Sequence, residues 1–177
     1  MAIIPIRTFG DPVLRETGSV ITEVDDALRQ LAADMLETMY DAPGVGLAAQ
    51  QVGVRRRIFV YDCGGGPGVV INPEIVETSG EWEYEEGCLS VPELRFDIVR
   101  PRFVHLRGTD LDGNELDIEA DELTARCFQH ETDHLNGMLL LERLEPDVRK
   151  KAMGTLRRRA LAQQALAAVG LQARSAD

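Results

Sequence analysis

The residue pattern predicts one soluble domain that mixes helices with strands. Three observations carry this reading. Leu28, Leu31, Met35 and Met39 recur at helical spacing. Between residues 57 and 118, β-branched and aromatic runs alternate with turn signals, and Asp112-Gly113 is a strong hairpin signal. A second helical stretch starts at residue 121 or 122, runs to 136, and holds two of the chain's three histidines.

Composition narrows the class. A chain of 177 residues suits one domain and can bury a sizeable core. At 44% hydrophobic and 28% charged it reads as globular. No apolar run is long enough to span a bilayer. The start, Met-Ala-Ile-Ile-Pro-Ile-Arg, lacks the basic segment and long apolar core of a signal peptide. Three cysteines, an odd number, argue against a disulfide framework and for a reducing compartment, so a cytoplasmic protein is expected.

The net charge of −11 is unevenly spread. Residues 1–145 carry 12 basic and 28 acidic side chains, a net −16; residues 146–177 carry 7 and 2, a net +5. An acidic body disfavours general nucleic-acid binding. The basic tail is either a docking element or a solvated helix.

Taken in order, residues 3–6 read as extended, with Pro5 and Pro12 against a helix. Residues 25–40 read as an amphipathic helix, with Asp25 and Asp26 suited to its start and methionines as core filler. Pro43, Gly44 and Gly46 then stop the helix, and the small residues allow another backbone close approach. Residues 57–62 and 69–71 read as strands joined by a glycine-rich loop, with 75–78 extending the second.

Residues 85–92 read as an acidic loop around Cys88. A thiol there is a poor unassisted nucleophile but a good metal ligand; the plainer reading is a small buried hydrophobe. Strands at 104–107 and 116–118 flank the hairpin signal. Asp121 can cap the next helix and Gly137 can end it. Pro146 opens a last helix to about residue 169, interrupted by Gly154 and fraying at its end. Leu156, Leu161, Leu166 and Val169 give it apolar surface.

The chemistry concentrates in Gln129-His130-Glu131-Thr132-Asp133-His134. Two histidines four apart lie one above the other on a helix face and can reach one metal ion. The intervening Glu131 is close enough to exchange a proton with a water held there.

Three motifs stand together in order: Gly44-Val45-Gly46-Leu47-Ala48-Ala49-Gln50-Gln51, Glu86-Gly87-Cys88-Leu89-Ser90, and Gln129 to His134. With them the chain resembles peptide deformylase over roughly residues 3 to 145. The resemblance implies an α+β fold, with mixed antiparallel β-sheets packed around a central metal-binding helix and helices near both ends. It divides the chain into a catalytic body, 1–145, and a basic C-terminal helix of the same domain, 146–177.

It further implies a hydrolase that removes formyl from N-formylmethionine on new bacterial chains and releases formate. The metal ligands it implies are Cys88, His130 and His134. Glu131 becomes the acid/base, and Gln51 and the Leu89 N–H become oxyanion donors. Asp133 is expected to pair with Arg100. The ion implied is Fe²⁺, with Zn²⁺, Ni²⁺ or Co²⁺ able to substitute.

The backbone beside Gly44, Val45 and Gly46 is expected to pair with an extended peptide. Leu123, Cys127 and the stem of Arg126, within two turns of His130, are candidate walls of a methionine pocket. The partners expected are N-formylmethionyl nascent peptides and, through the tail, the ribosome; no membrane is expected.

Two rival classes remain. A zinc peptidase would recruit a third ligand after H-E-x-x-H, but the position that would hold a histidine is Leu140. A non-catalytic metal-stabilised domain would need neither Glu131 nor Gln51.

Overall fold

The computed structural model describes residues 2–174, and the side chains of all of these except 163, 164 and 166–174. Residues 175–177, expected to fray, lie outside the described residues. Seven strands and three α-helices give an α+β architecture, as expected. Strands β1 (Gly46–Ala48), β2 (Ile58–Tyr61), β3 (Gly68–Ser79), β6 (Phe103–Thr109) and β7 (Glu115–Asp121) form one sheet in the order β1-β2-β3-β6-β7. Every pairing in it is antiparallel. Strands β4 (Trp82–Cys88) and β5 (Val91–Arg100) form a separate two-stranded sheet, inserted between β3 and β6 in the chain.

The larger sheet has a core on each face because strand side chains alternate. On one face Leu47, Ile58, Val60 and Ile71 join Leu28, Ala32, Met35 and Met39 of α1 (Asp26–Asp41). On the other, Ala48, Phe59, Val70, Val104 and Leu106 join Ala125, Phe128 and Leu135 of α2 (Glu122–Leu135). Strand β2 is therefore apolar on both sides, as its Ile-Phe-Val-Tyr run suggests. A bulge in β3 between Ile71 and Glu74 holds Asn72 at φ 51°, a left-handed conformation that asparagine tolerates. Its side chain both donates to and accepts from the Ile21 backbone, which ties down the N-terminal segment.

Helix α1 starts where the Asp25 carboxylate accepts from the Leu28 N–H at 2.7 Å. Helix α2 begins differently from expectation. Asp121 occupies the cap position but makes no side-chain cap bond, because it is also the last residue of β7, paired with Phe103. Gly137 ends α2 at φ 74°, and a β-carbon there would press on the Arg15 carbonyl.

Two stretches not expected as strands are strands. Gly46–Ala48 is β1, a three-residue strand at the sheet edge, followed by a 3₁₀ turn, Ala49–Val52. The acidic stretch around Cys88 is the β4–β5 hairpin, in register from Trp82↔Arg100 to Gly87↔Arg95, with a register shift before Cys88↔Val91.

Residues through Leu140 form one compact unit and those from Leu141 a second. The second is dominated by α3 (Pro146–Arg174), which runs through Gly154 without interruption. Its Leu156 is buried and its Leu161 exposed; the side chains of Leu166 and Val169 lie outside the described residues. Among the described residues, no helix is long and apolar enough to cross a membrane.

Phe128 is fully buried, with its ring edge-on to Tyr61 at 4.9 Å and tilted to Phe59 at 5.9 Å. Phe128→Ala should lower unfolding free energy by about 3–5 kcal/mol. Urea denaturation checks this: the midpoint should fall while the slope stays constant.

Candidate metal centre

Helix α2 presents His130 and His134 on one face, ring centroids 5.0 Å apart. Cys88, the last residue of β4, meets them from the hairpin. Its Sγ lies 3.2 Å from His134 Nε2. One ligand atom from each of Cys88, His130 and His134 falls within 4.8 Å of the others. His130 Nδ1 is engaged by Glu86 Oε1 at 2.6 Å, which leaves Nε2 to face the cluster.

A thiolate and two imidazoles form a donor set for a borderline-soft divalent ion. The charge pattern fits as well. Burial pushes the charged form of both imidazoles down; at His134 it wins, so that ring stays neutral. At His130 the cost of burial is outweighed by Cys88, Glu86 and Glu131, which raise its pKa well above the usual value.

Glu86 ties the hairpin to the helix. Burial alone would raise its pKa, but bonds from His130 and Arg100 hold the carboxyl far below the usual range. Arg100 donates from Nε and Nη2 to both Glu86 oxygens, at 2.8 and 2.7 Å, and from Nη1 to Asp133 at 2.9 Å. Arg126 Nη1 donates to Glu86 at 2.6 Å. Two carboxylates and two guanidiniums, all at least nine-tenths buried, thus neutralise one another. A carboxylate on the outer nitrogen of a metal-ligand histidine fixes tautomer and ring direction.

Glu131 is buried beside these groups. Burial pushes its carboxyl up to about 7, partly offset by His130 and Arg100. Across from it, β1 comes so close that a β-carbon at Gly46 would strike the Glu131 carboxylate, and would lie 2.7 Å from Cys127 Sγ. Gln51 is oriented through Oε1, which accepts from the Ala48 N–H at 2.9 Å. Its Nε2 points at Ser90 Oγ, 3.2 Å away, and Cys88 Sγ, 3.8 Å away. A cavity of about 600 Å³ opens onto this cluster, between the β1 edge, the hairpin tip and the first turns of α2.

A family model described as polypeptide deformylase matches residues 3–150. The chain belongs to the polypeptide deformylase family. The peptide deformylase of Acidothermus cellulolyticus is 47% identical over 157 residues, covering 89% of this chain and 87% of that one. That of Clostridium botulinum is 51% identical over 143 residues, covering 81% and 97%. Among solved structures, a peptide deformylase from Legionella pneumophila superposes with a TM-score of 0.86 at 41% identity, over 92% of this chain and 98% of that one. One from Ehrlichia chaffeensis, in complex with actinonin, gives 0.85 at 40% identity, over 90% and 98%. The chain is therefore a deformylase-family hydrolase with a site suited to a metal ion.

The structure brings the sequence-predicted residues to one place. Gly44, Val45, Gly46, Gln51, Leu89, Leu123, Arg126 and Cys127 line the cavity with Cys88, His130 and Glu131, while His134 lies beneath them, 1% exposed. Arg126 lines the cavity and has a further role. Its guanidinium is committed to Glu86 and to the Trp82 and Ile98 carbonyls, so it holds the site together. Glu86 was quoted only as part of a motif, and its role went unread. The available signal was the alternation Trp82-x-Tyr84-x-Glu86-x-Cys88, which places all four on one face of a strand.

Glu86→Gln should leave Arg126 without a buried counter-charge and Arg100 with Asp133 alone. Stability should drop by about 3–5 kcal/mol, and metal affinity by roughly 10–100-fold. Denaturant titration and competition with a chromogenic chelator measure the two effects.

Proposed function

We propose that the enzyme removes the formyl group from N-formylmethionine at the start of nascent chains and releases formate. The carrying observation is the convergence of Cys88, His130 and His134 with a buried carboxylate, Glu131, and an oriented amide, Gln51, at the floor of one cavity. Cys88, His130 and His134 would hold one divalent ion, with Fe²⁺ favoured by the family resemblance and Zn²⁺, Ni²⁺ and Co²⁺ compatible with the same donors. When bound, the ion supplies a Lewis acid and brings a water's pKa from ~15.7 towards ~7.

The chain's own residues do the rest. Glu131 accepts a proton from the attacking water as its oxygen bonds to the formyl carbon. The carbonyl oxygen gains charge, and Gln51 Nε2 and the Leu89 N–H donate to it. Glu131 passes the proton to the leaving nitrogen, the C–N bond breaks, and formate and a free amine result. The backbone at Gly44, Val45 and Gly46, leading into β1, takes the peptide as an added strand. Leu123, Cys127 and the apolar part of Arg126 border the methionine side chain.

Glu131→Gln tests the assignment, because glutamine has nearly the same shape but cannot carry the proton. The variant should keep stoichiometric metal and release formate about 10²–10⁴-fold more slowly. Metal analysis paired with a formate assay on a formyl-Met peptide decides it. A fast, metal-replete variant would remove Glu131 from the chemistry.

The last helix supports cytoplasmic action at the ribosome. Lys150, Lys151 and Arg158, with Thr155 and one carboxylate, Asp147, surround a shallow depression over Gly154. Such a face suits RNA phosphate, with salt-dependent affinity. Arg149 is instead paired with Glu142 at 3.0 Å. Truncation after Glu145 should leave activity on a short formyl peptide intact and reduce co-sedimentation with ribosomes at low salt. Equal co-sedimentation of full-length and truncated proteins would reduce the tail to a solvated helix.

A further inference from the structure

Two cysteines outside the metal centre meet behind the substrate edge. Cys63 follows β2 and is half-buried; Cys127 is buried one turn before Glu131 on α2. Both sulfurs approach one atom, the Val45 carbonyl oxygen, at 4.0 Å from Cys63 and 3.5 Å from Cys127. The two thiols thus flank the same carbonyl oxygen, and neither is in a disulfide. Nothing in the proposed chemistry uses Cys63.

We propose that Cys63 and Cys127 form an oxidation site, at which a hydroperoxide converts the two thiols into a reversible disulfide. Accessibility sets the order of events. Cys63 is the solvent-reachable member, and the hydrogen bond from Cys127 favours its thiolate despite the cost of burial. Cys127 is buried and stays protonated. An accessible nucleophilic thiol beside a buried resolving thiol is the arrangement of redox-sensing pairs.

The Cys63 thiolate attacks hydrogen peroxide, the O–O bond breaks, and hydroxide leaves to become water. Cys63 is then a sulfenic acid. Cys127 loses its proton and attacks the Cys63 sulfur; the S–S bond forms, the S–O bond breaks, and a second water leaves. Two thiols have given two electrons to one peroxide. A cellular dithiol reverses the bond by exchange.

The location gives the bond leverage. Cys127 Sγ packs against Gly46, at the same point where the Glu131 carboxylate does. Drawing that sulfur towards Cys63 shifts the inner support of β1. Any effect on turnover rests on the function proposed above, so the test reads the bond itself.

Full-length protein loaded with zinc, a redox-inert ion, is treated with stoichiometric hydrogen peroxide, quenched with an alkylating reagent and digested without reductant. Free thiols in the denatured protein should fall from three to one, with a linked peptide joining Cys63 to Cys127. Dithiothreitol should restore all three. The Cys63→Ser protein should keep both remaining thiols at the same dose and retain its zinc. Oxidation of Cys88 before any such link, or Cys63 advancing to sulfinic acid unlinked, would overturn the proposal.

Discussion

A single buried carboxylate, Glu86, decides how the site is assembled. It accepts from Arg100 on the hairpin, from Arg126 on the helix and from His130 at the metal centre. Each of those donors would be costly to bury alone. Paired with the Glu86 and Asp133 carboxylates they are compensated, and that pairing ties β4–β5 to α2. Cys88 lies two residues beyond Glu86 on the same strand face, so the position of its sulfur follows from that pairing. Asp133 completes the set by taking the remaining Arg100 nitrogen. The donor triad is thus held by charge from behind and by apolar packing from the sheet beneath.

Much of this was legible in the sequence, and the gaps have physical causes. Helix α1 announced itself because it buries one stripe against the sheet, which imposes a 3.6-residue period, and α2 through its two histidines four apart. The β6–β7 hairpin followed from Asp112-Gly113. Strand β1 was hidden because Gly-Leu-Ala carries no β-branched residue; it is a strand because the Val60 and Phe59 backbone pairs with it. Strands β4 and β5 were hidden because their outward side chains are charged. The alternation of Trp82 and Tyr84 with Glu83 and Glu85 was the period-two signal that the surrounding charge obscured.

At the site, the motif spacing located the ligand atoms, since i and i+4 on a helix must share a face. It could not reveal that Arg126 points at Glu86, because that depends on a strand forty residues earlier in the chain. Gly154 was read as an interruption, yet α3 passes through it; a glycine costs only about 1 kcal/mol in a helix, which the turns on either side absorb.

The brevity of β1 has a consequence for selectivity. Three residues of edge strand span only about 10 Å. Pro43 stands just before the docking backbone, and the 3₁₀ turn at Ala49 closes the other end. On the proposed reading, an incoming chain can make ladder bonds only through its first few residues, and those bonds engage backbone whatever the side chains are. Everything downstream leaves the enzyme unread. A short edge therefore lets one enzyme serve a whole proteome of different beginnings, while giving stray extended segments too little ladder to hold.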